Sequence, residues 1–269
     1  MRVQIRRISR QDKITLQESA GLAIVTLHRP YARNALTVEM WDELAQVVDR
    51  LAENPKNRVL LLRGAGKQFT AGSDLKEFHR MQLDEAEAAF RVMDKAISAV
   101  ERLPFPTVAV VNGPAMGAGL QLALACDLRI GSPLTKMGMP VSRLGITLDA
   151  SFTKRLVDLI GPSRTKDMVY TNRIFDADEC LQIGLLNYLV DEKRLDRFAV
   201  ETGYLIARQS AASLRAVKRN VALLSPRTDV AWEDSRYRFV DPVDFPIGVA
   251  SFVSKQPPRF VRSRKSPHV

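Results

Sequence analysis

The sequence predicts an α/β fold in which a mainly parallel sheet is followed by a helical C-terminal subdomain. Strand, glycine-loop and helix patterns alternate through about residue 160, which is typical of parallel sheets because crossover helices cover their faces. From Gly161 onward amphipathic helical patterns dominate through about Ser254. With 269 residues, 46% of them hydrophobic, the chain is long enough for both parts. We therefore expect a core over 14–160, a helical oligomerisation or lid subdomain over 161–254, and basic terminal segments at 1–13 and 255–269.

Each element has a local signal. Two short runs with β-branched residues at alternating places flank Ala20-Gly21, which predicts a hairpin. Thr37 is placed to cap the helix that follows it, and Arg58 to Arg63 (RVLLLR) is apolar enough to be a strand covered on both faces. The predicted strands are 14–18, 22–27, 58–63, 107–111, 128–130, 136–138 and 187–190. The predicted helices run from Thr37 to about 53, over 84–103, from the second glycine turn to about 126, and from Asp149 to about 160.

Two loops carry the main functional signal. They are 66–76 (GKQFTAGSDLK) and 112–127 (NGPAMGAGLQLALACD), and each leaves a strand through small residues just where a helix begins. Backbone amides exposed at two such points can converge on one oxygen atom. Neither loop is a nucleotide motif: Leu122 stands where a dinucleotide fingerprint needs its third glycine, and 64–68 lacks the hydroxyl residue of a P-loop. The plain alternative is that these glycines only make tight turns.

The charge of +10 lies mostly at the two ends of the chain. Residues 1–13 carry +4 and residues 255–269 carry +5, so about +1 remains for the body. Such ends draw phosphate-rich ligands, but a nearly neutral body argues against a large nucleic-acid face, and no nucleic-acid partner is expected. Cys126 and Cys180 stand alone, which favours two buried thiols and no metal site. Without a leader pattern or a long apolar run, we expect a cytoplasmic protein with no membrane partner.

The two loops resemble the paired signatures of the crotonase superfamily, the enoyl-CoA hydratases and isomerases, and the resemblance extends from about Ile14 to Phe260. The segment 28–30 (HRP) with 34–36 (NAL) is similar to the family's opening loop, and Phe252 with Lys255 to its closing helix. The resemblance implies a ββα spiral core and an acyl-CoA substrate. Coenzyme A would enter as part of the substrate, with no tightly bound cofactor. The family assembly is a homotrimer or a hexamer made of two trimers.

The same resemblance assigns site residues. It places the amides of Ser73 and Ala118 in the oxyanion hole, where the thioester oxygen gains charge. It implies contacts with coenzyme A from the opening loop, from positions on either side of Ser73, and from the end of the closing helix of a neighbouring subunit. These positions are Arg33, Ala71, Asp74, Leu75 and Lys76, then Phe252 and Lys255. The plainer interpretations are that both lysines are solvated, that Phe252 is core and that Asp74 is a cap.

The acyl pocket departs from the hydratase pattern. Hydratases of the family use two glutamates, and the matching positions here are Gln121 and Val141, neither of which can carry a proton at neutral pH. The candidate catalytic residue is Asp149, because the matching position resembles the proton-shuttling aspartate of dienoyl-CoA isomerases and the nucleophile of 4-chlorobenzoyl-CoA dehalogenase. Asp149 is also a candidate helix cap, and the two roles can coexist. His79 is a further candidate partner for Asp149.

These residues favour double-bond isomerisation of an enoyl- or dienoyl-CoA through an enolate. The alternatives on the same scaffold are a hydratase, hydrolase, decarboxylase or dehalogenase of CoA thioesters. An alternative of another class is a homologue without catalysis that binds acyl-CoA or RNA. Gln121 and Val141 are the residues that separate isomerisation from two-glutamate hydration.

Overall fold

The computed structural model describes residues 13–224 and 238–260. The strands are β1 Ile14–Ser19, β2 Leu22–Leu27, β3 Val59–Gly64, β4 Thr107–Val111, β5 Pro114–Met116, β6 Leu128–Gly131, β7 Lys136–Gly138, β8 Ile174–Phe175 and β9 Tyr188–Leu189. The helices are α1 Val38–Glu53, α2 Leu75–Phe78, α3 Leu83–Glu101, α4 Ala118–Leu124, α5 Ala150–Thr171, α6 Ala177–Gln182, α7 Glu192–Ala207, α8 Ala211–Leu224 and α9 Asp244–Ser254. None of the helices in these ranges is both long and apolar enough to cross a membrane.

The main sheet has six strands in the order β1-β2-β3-β4-β6-β9. β1 pairs antiparallel with β2, and every later pair is parallel, as the alternating pattern predicts. The turn between β1 and β2 holds Ala20 at φ 48 and Gly21 at φ 85, which suits a tight hairpin. A second sheet has the order β5-β7-β8. Its strands β5 and β8 were not predicted, because two or three residues show no alternation.

Helices cover both faces of the main sheet. Leu60 and Leu62 of β3 belong to the large core that α1 and α3 complete, whereas Val59 and Leu61 face a second cluster built on α7. The prediction that this strand is covered on both sides is therefore confirmed. Leu195 and Ala199 of α7 are each 2% exposed, so this helix of the predicted C-terminal subdomain packs directly on the core sheet.

The proposed boundary at 160/161 falls inside α5. Gly161 breaks the helix at φ 77 and ψ 165, and Pro162 follows it. Positive φ favours glycine, and proline cannot continue the hydrogen-bonding ladder. The chain is thus helical on both sides of a kink, and the division into two domains stays a prediction. The helical pattern predicted over 225–237, most of the basic N-terminal segment and residues 261–269 lie outside the described residues.

Candidate active site

A buried asparagine organises the first glycine loop. Asn34 has a positive φ of 54, and its Nδ2 donates to the carbonyls of Ala65 and Gln68, both at 2.9 Å. The Thr70 hydroxyl donates to the Asn34 carbonyl at 2.7 Å. These bonds hold the loop after β3 against the opening loop, so the segment before Ser73 has one fixed path.

The two glycine loops lie in direct contact. The Thr70 amide donates to the Pro114 carbonyl at 3.1 Å, and the Met116 amide donates to the Thr70 carbonyl at 3.2 Å. A Cβ added to Gly72 would lie 2.6 Å from the Met116 carbonyl oxygen, and one added to Gly119 would lie 2.6 Å from the Thr70 carbonyl oxygen. Side chains at either glycine would separate the loops. The two loops therefore lie side by side, and the convergence of their amides on one oxygen stays a prediction.

Two backbone amides at this contact have no acceptor among the described residues. The neighbours of Ser73 are both bonded to Leu36, since the Leu36 amide donates to the Gly72 carbonyl and the Asp74 amide to the Leu36 carbonyl, each at 2.8 Å. Ala118 is the first residue of α4, where amides have no partner inside the helix. Across residues 13–224 and 238–260, no acceptor bonds to the amide of Ser73 or of Ala118. Both residues are half-buried.

Asp149 is the N-cap of α5 and is completely buried. Its Oδ1 accepts from the Phe152 amide at 2.6 Å and from the Ser151 hydroxyl at 2.9 Å. Its Oδ2 is buried and has no hydrogen-bond partner among the described residues. The predicted cap is confirmed, and it uses one oxygen only. The second oxygen is a partnerless polar atom of the kind that buried regions rarely tolerate without a function.

The loop before Asp149 is held by the C-terminal part of the chain. The Thr147 amide donates to the Phe239 carbonyl and the Asp241 amide to the Gly145 carbonyl, each at 2.9 Å. The buried carboxylate of Glu87 on α3 accepts from the amides of Phe239 and Val240, each at 3.1 Å. We call the two bonds that Glu87 accepts the Glu87 clamp. Sequence reasoning missed it, because its residues are far apart in the chain and each alone has an ordinary helix or loop pattern.

Gln121 and Val141 are both buried, at 0% and 6% exposure. Gln121 Nε2 donates to the Phe152 carbonyl at 3.2 Å, and Gln121 Oε1 accepts from Arg155 at 3.5 Å. Arg155 also pairs with Glu101 at 2.9 Å. Gln121 therefore links α4 to the first turn of α5, beside the Asp149 cap. Sequence reasoning missed Arg155, whose position on α5 gives no pattern of its own.

The residues assigned to coenzyme A occupy the edge of the first loop and the end of α9. Ala71 donates its amide to the Arg33 carbonyl at 3.0 Å, and Arg33 and Lys76 are exposed while Leu75 is half-buried. Asp74 caps α2 by accepting from the Lys76 amide at 3.0 Å. Asp74, Leu75 and Lys76 directly follow Ser73 in the chain, and the bond from Ala71 holds Arg33 against the same loop.

The bond from the Lys76 amide confirms the predicted cap role of Asp74. The other oxygen of the Asp74 carboxylate pairs with Arg29 at 2.7 Å, so both oxygens have partners. Phe252 is 57% exposed, which excludes the core alternative, and Lys255 follows at the exposed end of α9. His79 is exposed and Asp149 fully buried, so their pairing is not formed. Contacts of any of these residues with coenzyme A stay predictions.

The cysteines are buried as expected. Burial raises the pKa of each thiol to about 12, which keeps both protonated and unreactive at neutral pH. Among the described residues, no group of three or more His, Cys, Asp or Glu side chains is arranged to hold a metal ion. The Asp127 carboxylate accepts from the Thr107 amide and from Lys218, each at 2.8 Å. Asp127 is therefore a structural residue.

The chain is similar to known proteins over most of its length. The family model for enoyl-CoA hydratase/isomerase matches residues 17–262. An enoyl-CoA isomerase/hydratase of Mycosarcoma maydis is 33% identical over 231 residues, which cover 80% of this chain and 84% of the relative. The mitochondrial methylglutaconyl-CoA hydratase of Mus musculus is 30% identical over 253 residues, covering 91% and 81%. A crystal structure of an enoyl-CoA hydratase/carnithine racemase from Magnetospirillum magneticum superposes with a TM-score of 0.77 at 32% identity, covering 94% of this chain and 97% of that one.

Proposed function

Because the chain belongs to the enoyl-CoA hydratase/isomerase family, we propose that it shifts a double bond in an enoyl- or dienoyl-CoA thioester through an enolate. A proton leaves a carbon at the γ position or beyond, and its electron pair moves toward the thioester carbonyl. The oxygen becomes negative while the proton is held by the protein. The same proton then returns to another carbon of the conjugated system, so the reaction needs no further reactant.

The proposed oxyanion hole consists of the Ser73 and Ala118 amides. Donors that are fixed before the reaction stabilise charge as it develops, because they do not have to reorient. The direct contact between the two loops, with glycines at 72 and 119 where side chains would clash, supports a fixed spacing between these donors. The absence of acceptors for both amides within the described residues supports their use by a ligand.

The observation that carries the proposal is the free Oδ2 of Asp149. Oδ1 is occupied by the cap of α5, while Oδ2 is buried without a partner in the described ranges. A carboxylate oxygen in that setting can accept a proton from carbon and return it. The cap bonds fix the carboxylate plane during both steps. We therefore assign the proton transfer to Oδ2 of Asp149.

Two-glutamate hydration is disfavoured by the side chains at 121 and 141. Gln121 has no titratable proton, and its amide is already bonded to Phe152 and Arg155. Val141 supplies an apolar wall. Each missing acid or base forfeits about 10² to 10⁴ in rate. Hydration of crotonyl-CoA is therefore expected to be slow in this protein.

Coenzyme A is expected to lie along the edge formed by Ala71, Asp74, Leu75 and Lys76, with its phosphates near Arg33. We further propose that Phe252 and Lys255 reach this cofactor from a neighbouring subunit of a homotrimer or hexamer. The exposure of both residues at the end of α9 supports this assignment. The reaction is expected to take place in the cytoplasm.

Replacing Asp149 with Asn tests the proposal. Asparagine keeps the cap bond to Phe152 but cannot carry the proton, so turnover on the best substrate of an enoyl- and dienoyl-CoA panel is expected to fall by about 10² to 10⁴. Mass spectrometry of the products gives the rate, and thermal unfolding is expected to change little.

Asp176→Asn is the matched control, since the exposed Asp176 caps α6 by accepting from the Glu179 amide at 2.9 Å. It alters a cap of the same kind away from the site and should keep full turnover. Unchanged turnover in Asp149→Asn would contradict the proposed proton transfer.

Hydration is the second candidate, because relatives such as the Mus musculus protein are named as hydratases. In that case Asp149 would orient a water molecule instead of shuttling a proton. The wild type would then hydrate crotonyl-CoA at the rate of an ordinary hydratase. The isomerase proposal requires a rate at least about 10² lower.

A further inference from the structure

The side chain of Ser73 is held inside the protein by two helices. Its Oγ accepts from the indole Nε1 of Trp41 at 3.1 Å and donates to the Met93 Sδ at 3.4 Å. Trp41 lies on α1 and Met93 on α3, and each is 1% exposed. The hydroxyl therefore connects the loop residue to two fully buried side chains of the large core.

The backbone at Ser73 is fixed from another direction. Its two neighbours bond to Leu36 in a parallel bridge, and in such a bridge the amide of the middle residue points to the opposite edge. A peptide held only by this bridge can still rotate by a few degrees. The hydroxyl bonds remove that freedom, because they fix the side-chain rotamer on the far side of the same Cα.

We infer that Trp41, with Met93 in support, is a positioning residue that aims the Ser73 amide at the thioester oxygen. The inference rests on the proposed oxyanion role of Ser73 and adds the residues that set the direction of that donor. A donor misaligned by 10–20° loses part of its strength. An alanine at 73 would supply the same amide but would leave the buried Trp41 N–H without an acceptor.

Three variants separate the contributions. Trp41→Phe removes the donor, Ser73→Ala removes the hydroxyl and keeps the backbone amide, and Met93→Leu removes the sulfur at nearly constant volume. We expect turnover to fall about tenfold in the first two variants, which is less than the loss of a whole oxyanion donor. KM should stay within about twofold, because the contact strengthens mainly in the transition state. Met93→Leu should have the smallest effect, since sulfur is a weak acceptor.

The direct readout is the thioester carbonyl itself. Butyryl-CoA labelled with ¹³C at the carbonyl carbon has no double bond to move, so it reports the bound ground state in infrared difference spectra. Hydrogen bonds from the oxyanion hole lower the carbonyl stretching frequency. We expect a clear downshift of the carbonyl frequency in the wild type, and at least half of that downshift should be lost in Trp41→Phe and Ser73→Ala. Calorimetry measures the affinity for butyryl-CoA in parallel.

Leu44→Ala is the control, because it creates a cavity on the same helix at a fully buried residue without removing a hydrogen bond. It should lower the melting temperature and keep the downshift. A downshift retained in Trp41→Phe and Ser73→Ala, or lost equally in Leu44→Ala, would overturn the inference and leave the proposed function standing. No downshift in the wild type would instead overturn the oxyanion hole itself. If Trp41→Phe does not fold, Ser73→Ala decides the outcome.

Discussion

Gln121, which the resemblance matches to a hydratase glutamate, is committed to structure by its hydrogen bonds. Its amide donates to α5 through one atom and accepts from Arg155 through another. A glutamate at this position would present two acceptors, one of which would face the Phe152 carbonyl. Arg155 would hold the other, while Glu101 already pairs with the same guanidinium. The position is therefore adapted to an amide, and a carboxylate does not fit it without cost.

Gln121→Glu is thus expected to lower the free energy of unfolding by about 1–3 kcal/mol, because a buried carbonyl loses its donor. It should raise crotonyl-CoA hydration by less than about tenfold, because Val141 still provides no second acid or base. Loss of the enoyl absorbance and denaturant unfolding measure the two effects. Gln121→Met, which has similar volume and no amide, is the control for lost hydrogen bonds. A gain of a hundredfold in Gln121→Glu would show that position 121 alone decides the chemistry.

At the scale of a single element, the side chain of Lys218 joins α8 to the rest of the chain. None of its residues is buried in the single chain, so packing within one chain contributes little to its position. Lys218 instead donates to the Asp127 carboxylate at 2.8 Å and to the Phe105 carbonyl at 3.1 Å. The Lys218 side chain is about one-sixth exposed, and its charge anchors the helix beside the starts of β4 and β6.

Lys218→Gln should therefore release α8 locally. We expect faster hydrogen exchange across 211–224 and nearly unchanged exchange in the main sheet, with a global loss of no more than about 1 kcal/mol. Arg219→Gln removes the same charge from an exposed neighbouring position and should leave the exchange pattern as it is. Equal exchange in both variants would show that α8 is held by something other than Lys218.

Element boundaries were predictable where a local cause sets them. Thr37 caps α1, and β4 and β7 have the predicted limits, because capping and apolar runs are local properties. The short strands β5 and β8 were missed, since pairing with distant strands creates them. At the site, the Asp149 cap was predictable from its place before an amphipathic run. The bond from Trp41 to Ser73 was not, because a buried tryptophan on an amphipathic helix looks the same whether or not its N–H has a partner.

At the scale of the whole molecule, the apolar surface of α8 and α9 is exposed in the single chain. Val217, Val221 and Leu224 repeat at helical spacing and are 62%, 59% and 86% exposed. The family resemblance predicts subunit contacts in this region. We therefore expect Val221→Asp to shift sedimentation from a trimer or hexamer toward the monomer.

The same variant should weaken acetyl-CoA binding if Lys255 reaches the cofactor from a neighbouring subunit. Calorimetry on Val221→Asp and Lys255→Ala measures this, and the two losses should not add, since dissociation already removes Lys255. Ala212→Asp, an exposed substitution on α8 away from the apolar residues, is the control. A monomeric wild type at micromolar concentration would contradict the expected assembly.

The Glu87 clamp has a consequence for how the protein is made. Glu87 accepts from amides that follow it by 152 and 153 positions in the chain, so the ribosome must synthesise nearly the whole protein before the clamp can close. A nascent chain that ends before residue 238 can already pair β1, β2, β3, β4 and β6, yet it leaves the Glu87 carboxylate without these two donors and the loop before Asp149 without its support. Closing so long a loop also costs conformational entropy, which slows the formation of this contact. The loop that precedes Asp149 is therefore fixed late in biosynthesis, after the sheet that carries the two glycine loops.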